Sequence, residues 1–193
     1  MRRSFVSDMN LDVALFDWFA PVYDAFMPPA DAVELRKGLS HADRPVERIV
    51  EVGGGSGRAA REIGAIVVDP APGMLTRASA RGLPTVRGSA DALPLADESV
   101  DAIVIVDALH HFPNHEIALS EVVRVLEPGG VLVVREFDRS TRRGRALDVA
   151  ETLVGFDSRF YTAAELEAAI ERAGLDARAV DYGFEMTIVG VKT

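Results

Sequence analysis

Four glycines fall within five residues in Gly53-Gly54-Gly55-Ser56-Gly57, between an apolar segment and a short helical one. Such a turn has a chemical use. Without side chains the backbone can approach a ligand closely, and the N–H groups at the start of the following helix favour a negative group. Asp69 ends the next apolar segment, where a carboxylate can accept hydrogen bonds from ribose hydroxyls. Further along, Asp107, His110 and His111 follow the apolar run Val100–Val106 and supply acid–base groups at a strand end. A histidine there can act as a base near neutral pH.

A glycine turn followed by an acid is shared by several classes of nucleotide-type binders, and the spacing separates them. The dinucleotide fingerprint G-x-G-x-x-G requires a third glycine where Arg58 stands, whereas the pattern here is Gly53-x-Gly55-x-Gly57. Asp69 follows Gly57 by only 12 residues, less room than a full dinucleotide unit uses. A nicotinamide-dependent oxidoreductase also lacks its Tyr-x-x-x-Lys pair here. His111 and His115 have the i, i+4 spacing of metal ligands, but Pro113 lies between them and neither a cysteine nor a third ligand accompanies them, so no metal site is expected. Arg139, Arg142, Arg143 and Arg145 form a basic cluster in an acidic chain, read either as a solvated loop or as a patch for an acceptor carboxylate or phosphate.

The elements that must position these residues alternate between strand-like and helix-like from about residue 46, the pattern of a parallel α/β sheet. Strands are expected at 47–52, 65–69, 85–87, 100–106, 131–137, 176–182 and 186–192. The last two are joined too closely for a crossover and should pair antiparallel, leaving six parallel strands. Asp31-Ala-Val-Glu34 and Thr162-Ala-Ala-Glu165 are capping boxes that open helices, closed by Gly38 and Gly174. Helices are also expected at 58–63, 72–80 and 115–126, and residues 138–161 are expected to be irregular.

The 193 residues suit a single domain, 1–193, and 48% hydrophobic content is enough for one substantial core. There is no cysteine, which excludes a disulfide framework, thiolate-bound zinc and thiol nucleophiles. The net charge of −9 disfavours broad binding to nucleic acid. No apolar run is long enough for a membrane helix and the first residues do not read as a signal peptide, so a cytoplasmic protein is expected. Oligomeric state is not legible.

Ile49-Val-Glu-Val-Gly-Gly-Gly-Ser-Gly57 resembles the first motif of the class I S-adenosylmethionine-dependent methyltransferases. The resemblance continues through Val68-Asp-Pro-Ala-Pro-Gly-Met-Leu75, Gly88-Ser-Ala-Asp-Ala-Leu-Pro-Leu95, Ser99-Val-Asp-Ala-Ile-Val104, Ala108-Leu-His-His-Phe112 and Glu121-Val-Val-Arg-Val-Leu-Glu-Pro-Gly-Gly130. These motifs, in order, cover residues 47–137, and Phe160-Tyr-Thr-Ala-Ala-Glu-Leu166 extends the likeness. Phe16-Asp-Trp-Phe-Ala-Pro-Val-Tyr-Asp24, with the Leu-Pro-Leu and Leu-His-His motifs, is similar to the ubiquinone/menaquinone C-methyltransferase branch, of methyltransferase type 11.

The resemblance implies a doubly wound, seven-stranded Rossmann-like sheet with an antiparallel last strand, helices on both faces, and S-adenosylmethionine as cofactor. It implies that Glu51 and the backbone of Gly53, Gly54, Gly55 and Gly57 hold the methionine part. Asp69, beside Pro70, would bind the ribose hydroxyls and Met74 would lie against the adenine. Asp91 would accept from the adenine amino group with the Ala92 N–H beside it, and Val106 and Asp107 would lie near the methyl group. Tyr23, on an amphipathic segment in residues 1–27, would close over the cofactor as part of a lid. His111, His110 and Asp107 would serve an acceptor covered by residues 138–161. That acceptor is read as a small molecule, first an aromatic, quinol-like ring. The segment between Gly57 and Asp69 is short for the family, leaving a helix of about two turns. The other readings are an oxidoreductase and a non-catalytic binding protein on the same fold.

Overall fold

The structure, a computed structural model, describes residues 31–154 and 158–193. It opens on α1 (Ala32–Leu39), whose N-terminus is capped by Asp31 accepting the Val33 and Glu34 N–H groups. Then follow β1 (Ile49–Val52), α2 (Ala60–Ile63), β2 (Ile66–Asp69), α3 (Pro72–Ala80), β3 (Thr85–Arg87) and β4 (Val100–Val106). A 3₁₀ turn at Leu109–His111 leads to α4 (His115–Val125), which passes directly into β5 (Leu126–Phe137). The chain continues through α5 (Arg142–Val154), α6 (Ala163–Arg172), β6 (Asp176–Asp181) and β7 (Glu185–Val191).

These strands form a seven-stranded sheet in the order β3-β2-β1-β4-β5-β7-β6. β7 runs antiparallel to both β5 and β6, while the pairs from β3 across to β5 are parallel. Strand order reverses between β1 and β4, so their carboxyl ends flank the crevice where ligands of doubly wound sheets bind. β4 is buried along its whole length, as its near-continuous apolar sequence, interrupted only by the ion-paired Asp101, demands of a strand covered on both faces. Ile103, Ile105, Leu132 and Val134 face a core completed by Leu119 and Val122 of α4 and by Leu166 and Ile170 of α6. Ala102, Val104, Val131 and Val133 face the opposite core with Leu35 of α1 and Ala60 and Ile63 of α2. Each fully buried large aliphatic side chain contributes on the order of 1.5–3 kcal/mol relative to exposure, which fixes the sheet as a rigid platform.

Several elements depart from the sequence pattern. α2 is one turn, not two, because the glycine turn runs on through Ala59 and the helix starts only at Ala60; Gly64, with a left-handed φ of 74°, ends it where expected. α1 runs through Gly38, whose missing Cβ leaves room for Val133 of β5, and closes at Ser40. The segment after β5 is helical over Arg142–Val154, since Thr141 accepts the Gly144 N–H and starts a turn that the arginines continue. Thr162 and Glu165 form the full reciprocal capping box the sequence signals. Residues 1–27, with Tyr23 and the expected lid, lie outside the described residues.

Candidate active site

β1 ends in the glycine turn, and that turn is shaped from three sides. Gly53, Gly55 and Gly57 all adopt positive φ, a region costly for residues with a Cβ. The Gly53 N–H donates to the Val68 carbonyl at 2.8 Å, tying the turn to β2. Arg81, just past α3, donates to the Ser56 carbonyl at 2.6 Å and to its hydroxyl at 2.9 Å. A Cβ at Gly57 would stand 2.2 Å from Leu83 Cδ1, and one at Gly54 would stand 2.9 Å from the Glu51 carboxyl carbon. Gly55 differs: the nearest atom to a Cβ there is Met74 Sδ at 3.7 Å. Gly55 therefore borders open space floored by a buried methionine.

Asp69 terminates β2 and commits both oxygens to backbone. Oδ2 accepts the Gly55 N–H and Oδ1 the Ala71 N–H, each at 2.8 Å. A carboxylate oxygen can accept more than one hydrogen bond, so this acid is of a type suited to ligand hydroxyls. Pro70, between Asp69 and α3, is half-buried. Glu51 lies beneath the turn, fully enclosed, with Oε2 accepting the Ala60 N–H at 2.7 Å. Burial pushes its carboxyl up to about 8, and the charges of Asp69 and Asp107 push the same way.

At the end of β4, beside buried Val106, Asp107 adopts a left-handed φ of 49°. Its N–H donates to the Arg135 carbonyl at 3.0 Å, and Oδ2 lies 3.5 Å from Arg58 Nη2. Oδ1 is buried with no hydrogen-bond partner among the described residues. Burial raises this carboxyl to about 6, helped by Glu136 and Glu185 and opposed by Arg58. Asp91 sits in the turn after β3, accepting the Ser89 hydroxyl, while the Ala92 N–H donates to the Ser89 carbonyl at 3.1 Å.

The histidines fall into different environments. His110 is buried, with Nδ1 2.7 Å from Glu136 Oε2 and its ring stacked on Phe160 at 4.4 Å. His111 is half-buried, its Nδ1 3.3 Å from the Ser158 hydroxyl, and burial with the neighbouring His110 charge presses its pKa down to about 2. His115 opens α4 and bonds Tyr161 at 2.7 Å, so it and His111 serve different partners. No cluster suited to a metal occurs among the described residues. Arg139 of the basic cluster pairs with Glu165, while Arg142, Arg143 and Arg145 are exposed.

The structure thus brings Gly53–Gly57, Asp69, Met74, Val106 and Asp107 to one edge of the sheet, with His110 and His111 beside them. Glu136, Arg58 and Arg81 were missed by sequence reading. Arg58 was legible as a charge fixed to the glycine turn. Glu136 signals only weakly, as an acid ending an apolar strand, and Arg81 has no signal apart from the fold.

Comparison with known proteins places the chain. The methyltransferase domain family matches residues 50–134. A demethylmenaquinone methyltransferase of Mycobacterium sp. (strain KMS) is 33% identical over 157 residues, covering 72% of this chain and 68% of that protein. A solved S-adenosylmethionine-dependent methyltransferase of Thermotoga maritima, described as a possible histamine N-methyltransferase, superimposes with a TM-score of 0.78 at 27% identity. It covers 93% of this chain and 99% of its own. A putative methyltransferase of Haloferax volcanii, solved with the activator Trm112, shares the fold with a TM-score of 0.73 at 21% identity, covering 91% of this chain and 96% of its own.

Proposed function

Since the chain belongs to the class I S-adenosylmethionine-dependent methyltransferases, acting on a small molecule, we propose that its acceptor is a reduced, quinol-like aromatic ring and that the carboxyl edge of β1, β2 and β4 is its active site. The observation carrying the site is Asp107, held in a strained turn with a buried oxygen lacking a partner among the described residues. An acid kept in such a state suits a cationic ligand.

S-adenosylmethionine, when bound, supplies a methyl group on a positively charged sulfur. The residues present fit it. The open space at Gly55 admits a ligand against backbone, and the acids Asp69 and Asp107 border the turn, where negative charge favours a cation. In this reading Asp107 would accept from the cofactor's ammonium group and Asp69 from the ribose hydroxyls, and Met74 and Asp91 would flank the adenine. Glu51 shapes the glycine turn from below. His110 and His111 stand on the acceptor side, where alignment and proton removal are the protein's remaining tasks.

A planar acceptor is supported by aromatic rings near the end of β5: Phe137 packs on Phe184 at 5.0 Å and Phe160 on His110. The name of the mycobacterial relatives points the same way. A cytoplasmic setting belongs to the same proposal; no helix among the described residues is long and apolar enough to cross a membrane.

The test is turnover with S-adenosylmethionine and a reduced naphthoquinol carrying an unmethylated ring position, read as gain of one methyl group by mass. Histamine serves as the parallel acceptor. Methylation of the quinol alone supports the proposal; methylation of the amine alone overturns the acceptor class while leaving the cofactor site intact.

A further inference from the structure

The face of β5 that carries Leu132 and Val134 into the apolar core also carries Glu136, which is 3% exposed. A carboxylate in that position is costly unless its oxygens are fully used. Here they are. Oε1 accepts the Ala108 N–H at 3.0 Å and the Leu109 N–H at 2.7 Å, and Oε2 takes His110 Nδ1 at 2.7 Å. With the Asp107 N–H on the Arg135 carbonyl, three successive N–H groups after β4 end on two successive residues of β5. That arrangement offsets the left-handed backbone of Asp107, a conformation unfavourable outside glycine.

We propose that Glu136 is the positioning residue of this site: it clamps the Asp107 turn against β5 and fixes the proton of His110 on Nδ1, making Nε2 the basic nitrogen of that ring. Burial works to raise the Glu136 carboxyl, but attraction to His110 in its charged form, the hydrogen bond between the two and the N–H groups of the turn hold it below the usual range. An ionised carboxylate is an acceptor only, so the facing nitrogen must carry hydrogen. A carboxylate that orients an imidazole through Nδ1 while the other nitrogen handles protons is a recurrent arrangement in acid–base catalysis. In a proton-transfer step the acceptor's hydroxyl O–H bond would break, its electron pair would stay on the acceptor, and the proton would form a bond to Nε2. Glu136 would then face the imidazolium. The proposal rests on Asp107 and His110 being site residues, as proposed above.

Glu136→Gln separates the two roles. Its amide oxygen can still accept the Ala108 and Leu109 N–H groups, but its NH₂ must donate to Nδ1, driving the His110 proton to Nε2. Long-range ¹H–¹⁵N spectra of the ligand-free protein should show that tautomer change, with the dissociation constant for S-adenosylhomocysteine kept within about threefold. Glu136→Ala should weaken S-adenosylhomocysteine about tenfold or more without having touched it, and Asp107→Asn with Glu136→Ala should be no weaker than Asp107→Asn alone. An unchanged His110 tautomer in the Gln variant, or losses that simply add in the double variant, would overturn the assignment. Should the Ala variant not fold, the tautomer measurement still decides. If Asp107→Asn alone leaves binding intact, the site assignment of Asp107 fails, while the ligand-free spectra independently judge Glu136.

Discussion

Asp69 holds Gly55 from 14 residues away, its Oδ2 accepting the glycine N–H at 2.8 Å, so the acid of β2 and the turn of β1 form a single unit. Asp69→Ala should therefore do two things. It removes a ribose acceptor, weakening S-adenosylhomocysteine by about 1.5–3 kcal/mol, and it frees the turn, lowering the melting temperature. Asp69→Asn, which retains one acceptor oxygen, should fall between. Calorimetry and thermal melts measure both, and an unaltered dissociation constant in the Ala variant would remove Asp69 from the site.

Gly55 and Gly57 share positive φ but should fail differently. At Gly57 a Cβ meets Leu83 at 2.2 Å, so Gly57→Ala combines overpacking with backbone strain and should destabilise by about 2–5 kcal/mol. At Gly55 the space is open, with Met74 Sδ 3.7 Å away. Gly55→Val should cost only the strain, about 1–2 kcal/mol, yet abolish cofactor binding by filling the approach. Normal binding by the Val variant would show that the cofactor does not cross that turn.

Asp107 gives cofactor binding an acid limit. Its carboxyl is raised to about 6 by burial, so it loses its charge as pH falls through 6. S-adenosylhomocysteine affinity should drop below that point, approaching tenfold per unit of pH, and Asp107→Asn should be weaker but flat. Parallel pH profiles for the two proteins would refute the role.

Glu51 should reveal itself in stability. Its folded pKa of about 8 stands above the ordinary 4.5, because burial disfavours the charge. Between those values the folded protein holds a proton that the unfolded chain releases, so stability from this group falls as pH rises and levels off above 8. Glu51→Gln can still accept the Ala60 N–H and is free of that loss. Relative to wild type it should gain stability from pH 5 to 8 in denaturant titrations; a constant difference across that range would contradict the assigned burial.

His111 does not titrate in the working range, since its pKa lies near 2. His111→Asn should therefore leave the pH dependence of turnover unchanged between pH 5 and 9, any loss appearing as a uniform drop. A vanished titration limb in the Asn variant would reassign the group that limits activity.

The motifs from Ile49 to Gly130 were legible because glycines with positive φ, strand-ending acids and capping boxes are local signals. Thr162 and Glu165 bond as their spacing requires, and the antiparallel pairing of β6 and β7 follows from their short connection. What sequence could not show was contact between distant segments. Glu136 reads as a routine acid until β5 is laid beside β4, where it meets three groups of the following turn. The helix after β5 was missed because it opens on Arg142-Arg-Gly-Arg145, which reads as a basic loop broken by glycine, although Ala146, Ala150 and Leu153 recur at helical spacing. α2 came out shorter because the glycine turn extends through Ala59 and delays its start to Ala60.

The place of β7 bears on how the chain reaches this state. It is the last strand in sequence yet lies between β5 and β6, pairing with both. During synthesis β5 is made well before its outer neighbour, and until residues 185–191 arrive one side of its Val131–Val134 backbone has no strand to bond. That open edge carries a strongly apolar run, the kind that recruits wrong partners. The nascent protein thus passes through a stage in which a strand bound for the interior of the sheet is still an open edge, and insertion of the β6–β7 hairpin closes that window of vulnerability.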